Sequence, residues 1–137
     1  MMKVHSTNYF DTFIEVAPDT KVSCGTPPPS KENKTIAQLQ YELIGKNPYK
    51  FSSDDILFQV YAYRNDLKEM EYKQAREQFF SKGQACLRTS PLTKSYGYGI
   101  HCNSDGKIAL YGMETSEYAN FISDSGVVKV KAMKSGK

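Results

Sequence analysis

Residues 86–113 read CLRTSPLTKSYGYGIHCNSDGKIALYGM, and the second half of this stretch decides the fold. Ser104-Asp105-Gly106 has the composition of a three-residue hairpin loop, with glycine at the position that needs a left-handed backbone. Asn103 then faces Lys107 and the rest of the register follows by counting. Cys102 pairs with Ile108, Ile100 with Leu110 and Tyr98 with Gly112, which makes one apolar face. His101 opposite Ala109 and Gly99 opposite Tyr111 make the other. A slip of one residue would mix the two faces, so the pattern itself supports the pairing.

Working outward, Ser90-Pro91 is an N-cap followed by proline at the first helical position. It predicts a helix of one or two turns closed by Gly97, with Cys86-Leu87-Arg88 before it as a short extended piece. Thr115-Ser116-Glu117 opens a further helix with Tyr118, Phe121 and Ile122 on one side, ending near Gly126. Residues 127–133 alternate Val128, Val130 and Ala132 against Lys129, Lys131 and Met133. That reads as a last strand with a basic outer face, a composition that also protects a sheet edge.

Toward the N-terminus, residues 9–17 (YFDTFIEVA) alternate as a strand stopped by Pro18. Phe10, Thr12, Ile14 and Val16 share one face. Residues 18–33 form a connection stiffened by Pro27, Pro28 and Pro29. Thr35 and Gln38 have capping-box spacing, and Ile36, Leu39, Leu43 and Ile44 give the apolar stripe of a helix of about three turns, ended by Gly45 and Pro48. Ser52 and Asp55 repeat the capping-box spacing, yet the β-branched and aromatic content of residues 56–63 (ILFQVYAY) favours a strand with Ile56, Phe58, Val60 and Ala62 inward. Residues 67–82 read as a helix, with Tyr72, Ala75 and Phe79 on one face and Gly83 just past its end. The sum is an α+β fold in one domain. A mixed, mainly antiparallel sheet of about five strands carries three main helices, mostly on one face, with a flexible tail at 134–137.

Composition narrows the function classes. The chain has 137 residues, 24% charged, with 10 Tyr and 7 Phe, which suits one packed domain. Its net charge of +3 is smaller and less clustered than a dedicated nucleic-acid binder shows. The 3 cysteines are an odd number without CxxC spacing, which argues against a disulfide framework or a zinc knuckle. The start lacks the apolar core of a signal peptide, and no apolar run approaches the ~20 residues of a membrane span, so a cytoplasmic protein is expected. Asp11 and Glu15 share a strand face, but about 13 Å apart at a 3.3 Å rise. Paired glycosidase carboxylates lie roughly 5–9.5 Å apart. P-loop, GxGxxG, HExxH and GxSxG motifs are missing.

Candidate site residues cluster in the quoted stretch. His101 and Cys102, being strand neighbours, point to opposite faces, so no metal and no cofactor is expected. The amides of Leu92 and Thr93 at the helix opening lack intrahelical partners, with Arg88 and Lys94 adding positive charge. Arg88, Ser90, Lys94 and His101 are therefore the expected contacts of an anionic small molecule. The competing reading is a non-enzymatic interaction or homo-oligomeric module, using exposed tyrosines or the lysine-bearing last strand.

Several segments also resemble one family. NYFDTFIEVA, LQYELIGKNPYKFSSDDILFQVYAYRND, AREQFFSKGQACLRTSPLTKSYGYGIH and GKIALYGMETSEY are similar to a family of small bacterial proteins of unknown function, over nearly the whole chain outside the proline loop. The resemblance implies a free-standing bacterial domain. It supplies no activity, cofactor or site residue.

Overall fold

The computed structural model describes residues 5–134. The hairpin forms as counted. Strand β2 (Tyr98–Cys102) and strand β3 (Ile108–Gly112) pair antiparallel, with Cys102 opposite Ile108 and Tyr98 opposite Gly112. Gly106 takes φ +77, and the Asn103 side chain accepts the Asp105 and Lys107 amides to close the loop. Strand β1 (Thr12–Glu15) pairs antiparallel with β2, and strand β4 (Val128–Lys131) runs parallel to β1 at the edge. The sheet order is β3-β2-β1-β4. The fold is thus mixed α+β around a mostly antiparallel sheet of four strands, one fewer than the count from sequence.

The missing strand is a helix. Residues Ser53–Arg64 form α2, following helix α1 (Ile36–Gly45). At its start the capping box closes fully: the Asp55 amide donates to Ser52 Oγ at 3.1 Å and the Ser52 amide to Asp55 Oδ2 at 3.0 Å. Asn8 Oδ1 takes the Asp54 amide, while Ser6 and Thr7 bind the Asp54 carboxylate. Two of the orphan amides of this helix N-terminus, those of Asp54 and Asp55, are therefore satisfied from two directions. Ile56, Phe58, Val60 and Ala62 are the buried apolar residues, the same four expected of a strand. At 100° per residue, Ile56 and Val60 lie on one side and Phe58 and Ala62 almost opposite. Ile56 joins the core over the sheet, and Phe58 and Ala62 join a second cluster with Phe80. A helix buried on two opposite sides imitates the period of a strand.

Helix α3 (Glu69–Phe79) packs on the outer side of α2, through Tyr72, Ala75 and Phe79. It ends at Phe79 rather than at residue 82; there the Gln84 side chain donates to the Phe79 carbonyl and Ser81 Oγ to the Gln78 carbonyl. In α1, Thr35 accepts the Gln38 amide, but the Gln38 side chain turns to the Lys31 amide and Glu42, so only half of that box forms. The expected extended piece at 86–88 is a single 3₁₀ turn (Leu87–Thr89) leading into α4 (Pro91–Lys94).

Ile14, Ile44, Ile56, Leu87, Leu92, Ile100, Cys102 and Ile108 form the main core, on the side of the sheet covered by α1, α2 and α4. The other side is covered too. Phe13 is fully buried beneath helix α5 (Ser116–Ser123), edge-on to Tyr118 and stacked on Phe121 with centroids 5.0 Å apart. β1 is therefore buried on both faces, and Phe10, expected on the same face as Thr12 and Ile14, is 55% exposed where Asp11 takes φ 49 and breaks the alternation. The proline-bearing connection forms no helix or strand, and is tied across the hairpin by the Thr26 amide on the Tyr96 carbonyl. Of the expected tail, residues 135–137, with Lys137 among the basic residues, lie outside the described residues.

Candidate functional site

The four residues singled out by sequence occupy different surroundings. Ser90 does cap α4, accepting the Leu92 amide on Oγ at 3.1 Å. The Thr93 and Lys94 amides both return to the Ser90 carbonyl, so the opening of this four-residue helix keeps no amide for an anion. Arg88 Nε donates to the Lys131 carbonyl at 2.6 Å and the Arg88 carbonyl accepts the Met133 amide, which ties the 3₁₀ turn to the end of β4. Lys94 sits half-buried in the last turn of α4.

His101 lies across the sheet from α4. Leu92 packs with Ile100 and Cys102 in the main core, whereas the His101 ring stacks on Phe121 of α5 at 4.2 Å. Its Nδ1 meets the Tyr49 hydroxyl at 2.8 Å, and that hydroxyl also meets the Tyr111 hydroxyl at 2.8 Å. Tyr49 holds this bridge with φ 59, a strained conformation for a residue with a side chain. Burial pushes the His101 pKa down, with Asp11 and Asp124 opposing. Burial also raises the Tyr49 hydroxyl, and its bond to Tyr111 adds to this. The space beside Gly99 on this face is filled: a Cβ there would lie 2.7 Å from Tyr118 Cε2, with the Phe13 ring closer still. Cys102 is buried in the core and its thiol is pushed up to about 12 by burial. Among the described residues no group of three or more His, Cys, Asp or Glu is arranged to hold a metal ion.

A concave site exists elsewhere, and one predicted residue, Ser90, reaches it. Between α1, the ends of α2 and α3, and residues 84–91 runs a groove of two lobes. The outer lobe, about 510 Å³, is walled by Ile36, Leu57, Val60, Tyr61 and Phe79, with Arg64 and Asn65 beside them. The inner lobe, about 240 Å³, continues past Cys86 and Leu87 to Ser90 and Pro91. Ile36, Gln40, Leu57, Phe79 and Gln84 line both lobes. Tyr61 and Phe79 pack ring to ring at 4.7 Å. At the inner end Cys86 Sγ lies 3.5 Å from the Tyr9 hydroxyl; this bond and burial raise the Tyr9 pKa.

Gln40 is the residue that sequence reasoning missed. It is 3% exposed, and its Oε1 accepts the Ser90 hydroxyl. Its Nε2 has no protein partner among the described residues, yet it is not among the fully enclosed unsatisfied atoms. The two amide hydrogens therefore reach the groove that Gln40 lines. The signal was present: Ile36, Gln40 and Ile44 fall at i, i+4 and i+8, so glutamine interrupts an apolar row. Opening into the groove, that donor is available to water or to a ligand acceptor that displaces the water. Gln84 complements it, since its Nε2 donates to the Phe79 carbonyl and its Oε1 has no protein partner among the described residues.

Residues 4–137 match the family model described as Family of unknown function (DUF6157). The chain belongs to this family. No curated protein and no solved structure matched the chain. Family membership accords with the whole-chain resemblance and leaves the function to be argued from the groove. No helix among the described residues is long and apolar enough to cross a membrane.

Proposed function

We propose that this domain binds a small carboxylate with an apolar body in the two-lobed groove. The observation that carries the reading is Gln40, a residue only 3% exposed whose amide N–H groups, without a partner among the described residues, open into a cleft lined by Ile36, Leu57, Val60 and Phe79. Ligand sites typically combine roughly 300–1,000 Å³ of mostly apolar lining with a few placed polar groups, and the outer lobe falls in that range. Arg64 supplies the charge: it ends α2, is exposed, and has no ion-pair partner among the described residues. The anionic-ligand reading is thus kept, with Arg64 and Gln40 in the places first given to Arg88 and His101.

Calorimetry with benzoate and with its neutral counterpart benzyl alcohol tests this. Benzoate is expected to bind in the millimolar range, as small fragments do, and benzyl alcohol more weakly. Arg64→Gln should weaken benzoate about five-fold, the worth of an ion pair near the surface, without changing benzyl alcohol. Equal binding of benzoate to wild type, Arg64→Gln and Gln40→Leu would overturn the proposal.

A further inference from the structure

From the donor and acceptor left open at the junction of the lobes, we infer that the ligand is an N-acylated amino acid, with a secondary amide between an acyl group and a carboxylate. This rests on the groove being a carboxylate site and adds the chemistry of the ligand's middle. Gln40 offers N–H groups and Gln84 offers a carbonyl oxygen, both without partners among the described residues and both lining the two lobes. One donor and one acceptor match the C=O and N–H of a single amide. On one side of that junction lies Arg64, the partner for the carboxylate. On the other the inner lobe is lined by Leu87 and Pro91, suited to an acyl group.

An ester has the carbonyl but no N–H, so Gln84 would face an oxygen instead of a donor. A site built to pair an N–H rejects the analogue lacking it, because its own acceptor is left bare. The inner lobe ends at the capped turn of Ser90, where the hydroxyl is already committed to Gln40 and the Leu92 amide. With that hydroxyl already paired, Ser90 offers no side-chain partner to a further peptide unit, which favours an acyl terminus over a continuing polypeptide.

The test uses N-benzoylglycine, its ester analogue O-benzoylglycolate, benzoate, and a benzoylated triglycine, titrated into the intact protein. N-benzoylglycine is expected to bind at least ten-fold tighter than benzoate. The ester should lose about five-fold in wild type and nothing in Gln84→Met, with unchanged melting temperature showing that the variant folds. Benzoylated triglycine should bind no better than N-benzoylglycine. If benzoate binds at the groove but amide and ester are equal in wild type, the inference fails and the carboxylate reading stands. If none of the four binds, both fail. A gain for the longer peptide would overturn the acyl assignment in favour of a peptide C-terminus.

Discussion

Single residues show how tightly the second face of the sheet is filled. Gly99 has the Phe13 and Tyr118 rings where a side chain would begin, so Gly99→Ala should destabilise the domain by about 1–3 kcal/mol in urea unfolding, the usual cost of overpacking. A substitution without effect would mean that the rings can withdraw. His101 makes this face sensitive to acid. Its folded pKa lies below the ordinary value, so the unfolded chain binds more protons as the pH falls through about 6.5. Its contribution is then complete above that pH and is lost below it. Denaturant stability measured at pH 7.5, 6.5 and 5.5 should fall more steeply in wild type than in His101→Gln. Equal slopes would remove His101 as the cause. What was legible here was the alternation that separated His101 from Cys102. The identity of the covering residues was not, because Phe121 and Tyr49 come from 20 or more positions away along the chain.

At the scale of the element, α2 is the instructive case. Its sequence carried two signals, a capping box and a period-two apolar pattern, and the residues form the helix that the capping box marks. The period came from tertiary packing: the sheet core lies on one side of the helix and α3 on the other, an arrangement that no local window displays. Ser52→Ala should therefore cost about 1 kcal/mol in thermal or urea unfolding. A neutral result would place the stability of α2 in packing alone. The hairpin was legible for the opposite reason, since its loop type, register and faces are all local. The sheet edge followed as well, with Lys129 and Lys131 on β4, although its parallel pairing with β1 depends on α5 crossing over the sheet.

For the whole molecule, the four residues singled out by sequence do not share one place: Ser90 lines the groove, whereas the sheet separates it from His101. Ser90 faces the groove side and His101 the α5 side. The groove itself is assembled from α1, α2, α3 and residues 84–91, and its shape depended on residues 56–63 being a helix. With those residues read as a strand, Leu57, Tyr61 and Arg64 could not be brought beside Gln40. Once α2 is in place, an apolar wall, one open amide donor and one guanidinium converge. The same groove separates the small-molecule reading from self-association, since a rim used for pairing copies would be hidden from ligand.

The most direct measurement is a side-chain amide and guanidinium NMR titration of the intact protein with benzoate. The account predicts that the Gln40 amide and Arg64 guanidinium resonances shift together and saturate along one binding curve, while Phe121 and His101 across the sheet stay in place. Shifts confined to the His101 side or to Lys129 and Lys131, or no shift of Gln40 at saturating benzoate, would contradict it.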